Sequence, residues 1–185
     1  MGEQHKKHSR REHLNDFHLN IAGEYVYDGA LYACQSDDAK QRRSKRAVWG
    51  MAAILTVAVA AGGCIPAPGM QNCFYVLLPY LGEFLGAASV IWALAKLGTD
   101  WRTVREYNYK KSVAVLPVRT AVTAVFSLLG VVCELIFFFV NDHAGQTFFA
   151  LLYVLLKLIA LLSVLVLRAE IMQAEWDKLP KKNNF

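Results

Sequence analysis

Four long apolar stretches determine what this chain can fold into. Each has roughly the 17 to 25 residues that a helix needs to cross a hydrocarbon core of about 30 Å. The stretches are continuous rather than alternating, which excludes the strands of an outer-membrane barrel. The sequence therefore predicts an all-α membrane protein, a four-transmembrane-helix bundle with spans at about 47–63, 75–97, 117–140 and 147–167.

The connectors between the apolar stretches differ in charge. Those at 64–74 and 141–146 contain no lysine or arginine, whereas the flanks at 40–46, 96–111 and 168–182 carry many. Under the positive-inside rule, the basic segments stay in the cytoplasm and the other two connectors are exported. The sequence therefore predicts a multi-pass protein of the plasma (inner) membrane, with its N-terminus and its C-terminus both in the cytoplasm.

The formal net charge of +5 raises the question of a nucleic-acid partner. The basic residues flank the apolar stretches, where the anionic headgroups of a lipid bilayer attract them. Only 19% of the residues are charged and 55% are hydrophobic, so most of the chain is suited to lipid rather than to water. We therefore expect a bilayer with anionic headgroups to be the partner of these basic residues, and no nucleic acid.

The segment ahead of the first span divides into two parts. Residues 1–14 are polar and basic and contain too little apolar area to order themselves, so we expect a disordered tail. Residues 15–46 combine a β-like segment with a juxtamembrane basic segment. Between Phe17 and Cys34, apolar and polar residues alternate around glycine-containing turns, which predicts a β-hairpin or three short strands. The bundle thus gains a small N-terminal β-hairpin-like cytoplasmic segment.

Three tyrosines in this segment, Tyr25, Tyr27 and Tyr32, are candidate partner-binding residues. A lone hairpin is marginally stable in water and has to lean on another surface. The helix ends, the lipid headgroups or another protein can each supply that surface. Tyrosine suits such a boundary because its ring is apolar while its hydroxyl stays wet. Packing within the chain and recognition of a partner are both open interpretations.

Two further segments lie on the basic side of the predicted bundle, which itself occupies 47–168. The connector 98–112 has aromatic residues among basic ones, which predicts a helical or interfacial segment. In residues 169–185, the fourth helix is predicted to continue through Trp176 until Pro180 stops it, and a frayed tail follows.

Three charged residues, Glu83, Glu134 and Lys157, fall inside the predicted spans. Burying one costs at least about 2.5 kcal/mol on insertion scales, so each needs a partner or a function. At about 1.5 Å per residue from the exported ends, they lie about 12, 9 and 15 Å deep, in one layer. Helical phase places Arg119 and Glu134 on one polar stripe, and Tyr153 and Lys157 on another.

This intramembrane polar cluster of five side chains has two interpretations. In the first, a carboxylate binds a cation or a proton and Lys157 tunes its affinity. In the second, an ion pair keeps the helices in register. Two carboxylates face a single lysine, and both interpretations stay open. No metal site is expected, because the spacing of the N-terminal histidines brings no strong pair onto one helix face.

Cys64 and Cys73 flank the first exported connector. An oxidising exterior favours a disulfide between them, which would tie the first two spans together. Two free thiols are the alternative. In the second span, the small residues Gly82 and Gly86 allow close approach to another helix, either in the same chain or in a second copy.

The sequence contains no catalytic motif: a His-Glu-x-x-His zinc signature, a Gly-x-Ser-x-Gly nucleophile elbow and a glycine-rich phosphate loop are all missing. We expect no cofactor and no enzymatic activity. The sequence favours a non-enzymatic interaction or accessory subunit of a membrane assembly, either as a homo-oligomer or with another membrane protein. The alternative is a minimal oligomeric transporter or channel for ions, protons or small solutes that uses the intramembrane carboxylates.

Overall fold

The computed structural model of the chain describes residues 17–19, 23, 25–27, 29–98, 101–141 and 147–179. Four long helices dominate these segments: α1 (Asp38–Cys64), α3 (Phe74–Leu97), α5 (Leu116–Val140) and α6 (Thr147–Gln173). Two short helices are α2 (Pro68–Asn72) and α4 (Glu106–Lys111). The strands are β1 (Phe17–Leu19), β2 (Tyr25–Tyr27), β3 (Leu31–Cys34), β4 (Val104–Arg105) and β5 (Trp176–Lys178).

Four helices in the described segments are long and apolar enough to cross a membrane, which confirms the predicted number. Two of them extend beyond the predicted spans. Helix α1 begins at Asp38, well ahead of Ala47, and α6 continues to Gln173. The added turns of α1 are rich in lysine, arginine and glutamine, which are good helix formers, and extending an existing helix is easier than starting one. The basic residues ahead of the first span therefore belong to its helix.

The long helices pack as a bundle in which α6 lies between α1 and α5, and α5 lies between α6 and α3. We call the end that carries Lys40, Arg119 and Arg168 the basic end. The other, where α1 meets α3 through α2, is the loop end. Arg119 donates to the Ser89 carbonyl of α3 at 2.6 Å, and Arg168 donates to the Pro117 carbonyl of α5. Arginines thus join neighbouring helices at the basic end.

Helices α3 and α5 approach each other closely at two glycines. A Cβ added at Gly82 would lie 2.5 Å from the ring of Phe126. One added at Gly86 would lie 2.6 Å from Thr123 Oγ1 and 3.3 Å from the Thr123 backbone Cα. The small-residue face of the second span is therefore used within the chain, since only a glycine leaves room for the backbone of α5 here.

The strands form two separate sheets. Strands β1 and β2 pair in antiparallel orientation, with Phe17 opposite Tyr27, which confirms the predicted hairpin over this part of the segment. Strand β3 lies instead at the centre of a second sheet, with β4 and β5 antiparallel on either side. Both partners come from distant parts of the chain, so local alternation alone could not reveal this pairing.

The end of the fourth helix corrects a prediction. The helix does not continue through Trp176 towards Pro180 but ends at Gln173, and Trp176–Lys178 form β5. The Trp176 ring packs against Trp101 and Tyr109, with ring centroids 5.9 and 6.0 Å apart. Aromatic packing and pairing with β3 together outweigh the weak helical preference of three residues.

The connector 98–112 also differs from the prediction in part. It contains β4 as well as the predicted helical turn α4. Trp101 and Val104 are 3% and 4% exposed and belong to an apolar core at the basic end, so they are packed inside the protein rather than interfacial. The predicted disordered tail, 1–14, lies outside the described residues.

We predict that Gly86→Val destabilises the protein by about 2 kcal/mol, because the added side chain overpacks the contact with Thr123. Ala88→Val is the matched control, since Ala88 lies in the same helix and is exposed. The measurement is the Tm of each purified variant in detergent. Equal Tm values for the two variants would contradict the close approach of α3 and α5.

Candidate functional site

An ion pair joins three helices inside the bundle. Lys157 Nζ of α6 pairs with Glu83 Oε2 of α3. Ser127 Oγ of α5 donates a hydrogen bond to Glu83 Oε1 at 2.6 Å. The residues Glu83, Ser127 and Lys157 are 0%, 0% and 2% exposed. Both oxygens of the Glu83 carboxylate thus have a donor, which is the condition under which a buried charge can be tolerated.

Two aromatic rings complete the surroundings of the lysine. Its Nζ lies 4.5 Å from the centroid of the Tyr80 ring and 5.1 Å from that of the Tyr153 ring. Such cation–π contacts are strongest where the cation is removed from water. A glycine makes room for the side chain, since a Cβ added at Gly130 would lie 3.6 Å from Lys157 Cδ. Packing and charge therefore hold the ammonium group in one place.

Glu134 is a second buried carboxylate, nearer the loop end. It follows Ser127 by two turns on the same face of α5 and is 0% exposed. Its carboxylate packs against Gly69 of α2, where a Cβ would collide with it. It also interacts electrostatically with Lys157 and Tyr153. Lys157 therefore pairs directly with the carboxylate of Glu83 and interacts electrostatically with that of Glu134.

Tyr153 belongs to the same cluster. The side chain is 0% exposed, and its ring faces Gly62 of α1 as well as the lysine. Within the described part of the chain, its hydroxyl has no hydrogen-bond partner. A buried hydroxyl without a partner costs about 1 to 3 kcal/mol. The Tyr153 hydroxyl can therefore still form a hydrogen bond with a ligand or a water molecule.

Two residues of the site were not selected as candidates from the sequence. Ser127 lies on the same face of its helix as Arg119 and Glu134 but was not singled out. Tyr80 was not considered, although it precedes Glu83 by three residues and therefore shares its helix face. The three-residue spacing between Tyr80 and Glu83 in α3 is the sequence signal that could have identified Tyr80.

Arg119 does not join this cluster. It lies in the first turn of α5, roughly 22 Å along the helix from Glu134 at 1.5 Å per residue. Its guanidinium donates to the Ser89 carbonyl instead. The residues Thr123, Ser127 and Glu134 on this face of α5 are all buried, as expected of a polar stripe inside a bundle. The two ends of the stripe contact different helices, since Arg119 binds α3 whereas Glu134 packs against α2.

The two cysteines at the loop end are free thiols in the structure. Cys64 ends α1 and is exposed, whereas Cys73 lies between α2 and α3 and is half-buried. The structure thus has the two free thiols of the alternative, and a disulfide in an oxidising exterior stays a prediction. The Cys73 N–H donates to the Gly69 carbonyl at 2.9 Å and so closes the C-terminal end of α2.

The three candidate partner-binding tyrosines lie in different surroundings. Tyr32 stacks on Tyr109, with ring centroids 4.1 Å apart and planes 5° apart. Tyr27 packs edge-on against Phe17 and beneath the Arg105 guanidinium. Tyr25 is 75% exposed. Tyr27 and Tyr32 are therefore used inside the protein, and Tyr25 remains available on the surface.

Among the residues that the structure describes, no group of three or more histidine, cysteine, aspartate or glutamate side chains is arranged to hold a metal ion. The ion pair with Ser127, and the neighbouring Glu134 and Tyr153, thus form the candidate site. Chemically, this arrangement can fix the helices in one register. It can also exchange a proton or shift a pairing if Lys157 moves towards Glu134.

We predict that Lys157→Met lowers the free energy of unfolding by about 3 kcal/mol, because it leaves the Glu83 carboxylate buried without its cation. The double variant Glu83→Leu with Lys157→Met removes both charges and should recover most of that loss. Thermal unfolding of the wild type, both single variants and the double variant gives the coupling energy. Additive effects of the two substitutions would contradict a direct pair.

A scan against protein-family models found no match, and neither did searches of curated proteins and of solved structures.

Proposed function

We propose that this chain is a four-span integral membrane protein that acts as a non-enzymatic interaction or accessory subunit of a membrane assembly. The observation that carries the proposal is the closed ion pair of Glu83 and Lys157 with Ser127. An ion pair buried in this way favours one fixed arrangement of α3, α5 and α6. A fixed bundle suits a scaffold better than it suits a pathway whose charges must change partners.

We further propose the plasma membrane as its location, with both termini in the cytoplasm. Strand β3 precedes α1 and β5 follows α6, and these two strands are hydrogen-bonded neighbours. The segment before α1 and the segment after α6 therefore meet on one side of the bundle, at its basic end. The positive-inside rule favours the cytoplasm for that end.

The contact with a partner is proposed to involve the β1–β2 hairpin. Its Tyr25 is 75% exposed, whereas Tyr27 is packed against Phe17 and Arg105. An exposed tyrosine on a short strand pair offers a large apolar ring and a hydroxyl, both of which are favoured at protein interfaces. The partner is another membrane protein or a second copy of this chain.

A second candidate function is transport of a proton or a cation, and the position of Glu134 favours it. This carboxylate is fully buried and interacts with Lys157, which already pairs with Glu83. The nearby Tyr153 hydroxyl has no hydrogen-bond partner in the described segments. A lysine between two carboxylates could change its pairing as one of them gains a proton.

We predict that the native protein, extracted from its membrane in mild detergent, has a larger mass than a single copy, and that Tyr25→Ala shifts it to the mass of one copy. The control is Met172→Ala, which removes an exposed side chain near the same end of the bundle. Native mass spectrometry gives the masses. A wild type that is monomeric and alone would contradict the proposed assembly role.

A flux assay separates the two candidate functions. The scaffold proposal predicts that liposomes containing the wild type leak protons and sodium no faster than empty liposomes, with an ionophore showing that the vesicles are sealed. If instead the wild type conducts and Glu134→Gln abolishes the flux, transport is the function. Glu134→Gln removes the titratable carboxyl group while keeping nearly the same volume, so the bundle should remain folded.

A further inference from the structure

A cavity lies at the basic end of the bundle, well away from the buried ion pair. Its volume is about 270 Å³, and it is lined by the segment from the end of β3 to the first turns of α1, by Trp101, and by residues at the end of α6. The residues that matter for its chemistry are Lys40, Gln41, Arg43, Ser44, Trp101 and Glu170. Its walls thus come from three parts of the chain that only the folded protein brings together.

Two hydrogen-bond donors of the cavity wall are buried without an acceptor. Gln41 is 8% exposed and Trp101 is 3% exposed. The amide nitrogen of Gln41 and the indole N–H of Trp101 have no partner in the described segments. A buried donor without an acceptor is energetically unfavourable, so two of them lining one cavity point to a ligand that accepts hydrogen bonds.

The charges around the cavity indicate that this ligand is an anion. Lys40 and Arg43 are exposed and line the cavity one turn apart on α1. The carboxylate among the lining residues is Glu170, and it accepts a hydrogen bond from Ser44 at 2.9 Å. Two cations and two neutral N–H donors therefore line the cavity, together with one carboxylate that already accepts a hydrogen bond. This excess of donors favours a phosphate oxygen as the acceptor.

We propose that this cavity binds the phosphate group of a phosphate ester, with Arg43 and Lys40 at the mouth and the Gln41 and Trp101 N–H groups inside. A space of about 270 Å³ accommodates a phosphate with a short polar substituent rather than a large ligand. Glu170 adds selectivity, because it can accept a hydrogen bond from a hydroxyl or ammonium group next to the phosphate.

The phosphate ester can come from two sources, a lipid headgroup or a soluble metabolite. Arg43 precedes the apolar part of α1 by four residues, about 6 Å along the helix axis. If the helix crosses a bilayer, as proposed above, this places the cavity at the depth of the headgroups. Phosphate binding does not depend on whether the protein is an interaction subunit or a transporter. The result of the binding test is therefore independent of the tests of those two functions.

The test uses the full-length protein in detergent and two probes, dioctanoyl phosphatidic acid and glycerol 3-phosphate. Isothermal titration calorimetry measures the affinity for each. We expect Arg43→Gln to weaken binding by about tenfold or more, since it removes a charge-assisted hydrogen bond. Arg42→Gln is the matched control, because Arg42 is adjacent and also exposed but does not line this cavity.

A second variant tests the buried donors without changing charge. Trp101→Phe keeps an aromatic ring in the packing with Trp176 and removes the indole N–H, so we expect weaker binding with little change in Tm. Binding of the lipid probe alone, weakened by both variants, assigns the site to a headgroup. Binding of both probes, weakened in the same way, assigns it to phosphate esters in general. No binding, or equal losses for Arg42→Gln and Arg43→Gln, would overturn the proposal.

Discussion

The contact between Lys157 and Glu83 is the interaction on which the rest of the bundle depends. A lysine in the middle of an apolar helix has to find a carboxylate, and this requirement fixes the rotation of α6 relative to α3. Ser127 extends the same constraint to α5. Once three helices are oriented, Gly82 and Gly86 lie where α3 meets α5, and Gly130 lies beside the lysine. Charge therefore sets the orientation and small residues allow the helices to close.

The basic end is organised by a different principle. Here the chain forms a three-stranded sheet whose members come from the N-terminal segment, the connector after α3 and the segment after α6. Trp101, Tyr109 and Trp176 pack behind it, and Arg102 pairs with Asp38 at 3.0 Å. The sheet joins the segment before α1 and the segment after α6 to the connector after α3, and it contributes Cys34 to the wall of the cavity lined by Gln41 and Trp101.

The buried cluster and the basic end suggest separate roles within one small protein. The buried cluster near the middle fixes the bundle, whereas the basic end presents Tyr25 and the cavity to its surroundings. A rigid bundle helps such surfaces, because binding sites held on fixed elements lose less conformational freedom when a partner arrives. The proposed scaffold role and the proposed phosphate site are thus compatible with each other, although neither requires the other.

The sequence by itself determined the number of long helices, the hairpin near Phe17 and the burial of Glu83, Glu134 and Lys157, because these follow from hydrophobic length, alternation and the high cost of an isolated charge in an apolar helix. Only the tertiary structure decided that Lys157 contacts Glu83, that Arg119 binds Ser89, and that Trp176 lies in a strand opposite Cys34. The physical reason is the same in each case. Local patterns report which face of an element is buried, but the partner on that face comes from a distant segment and is selected by packing.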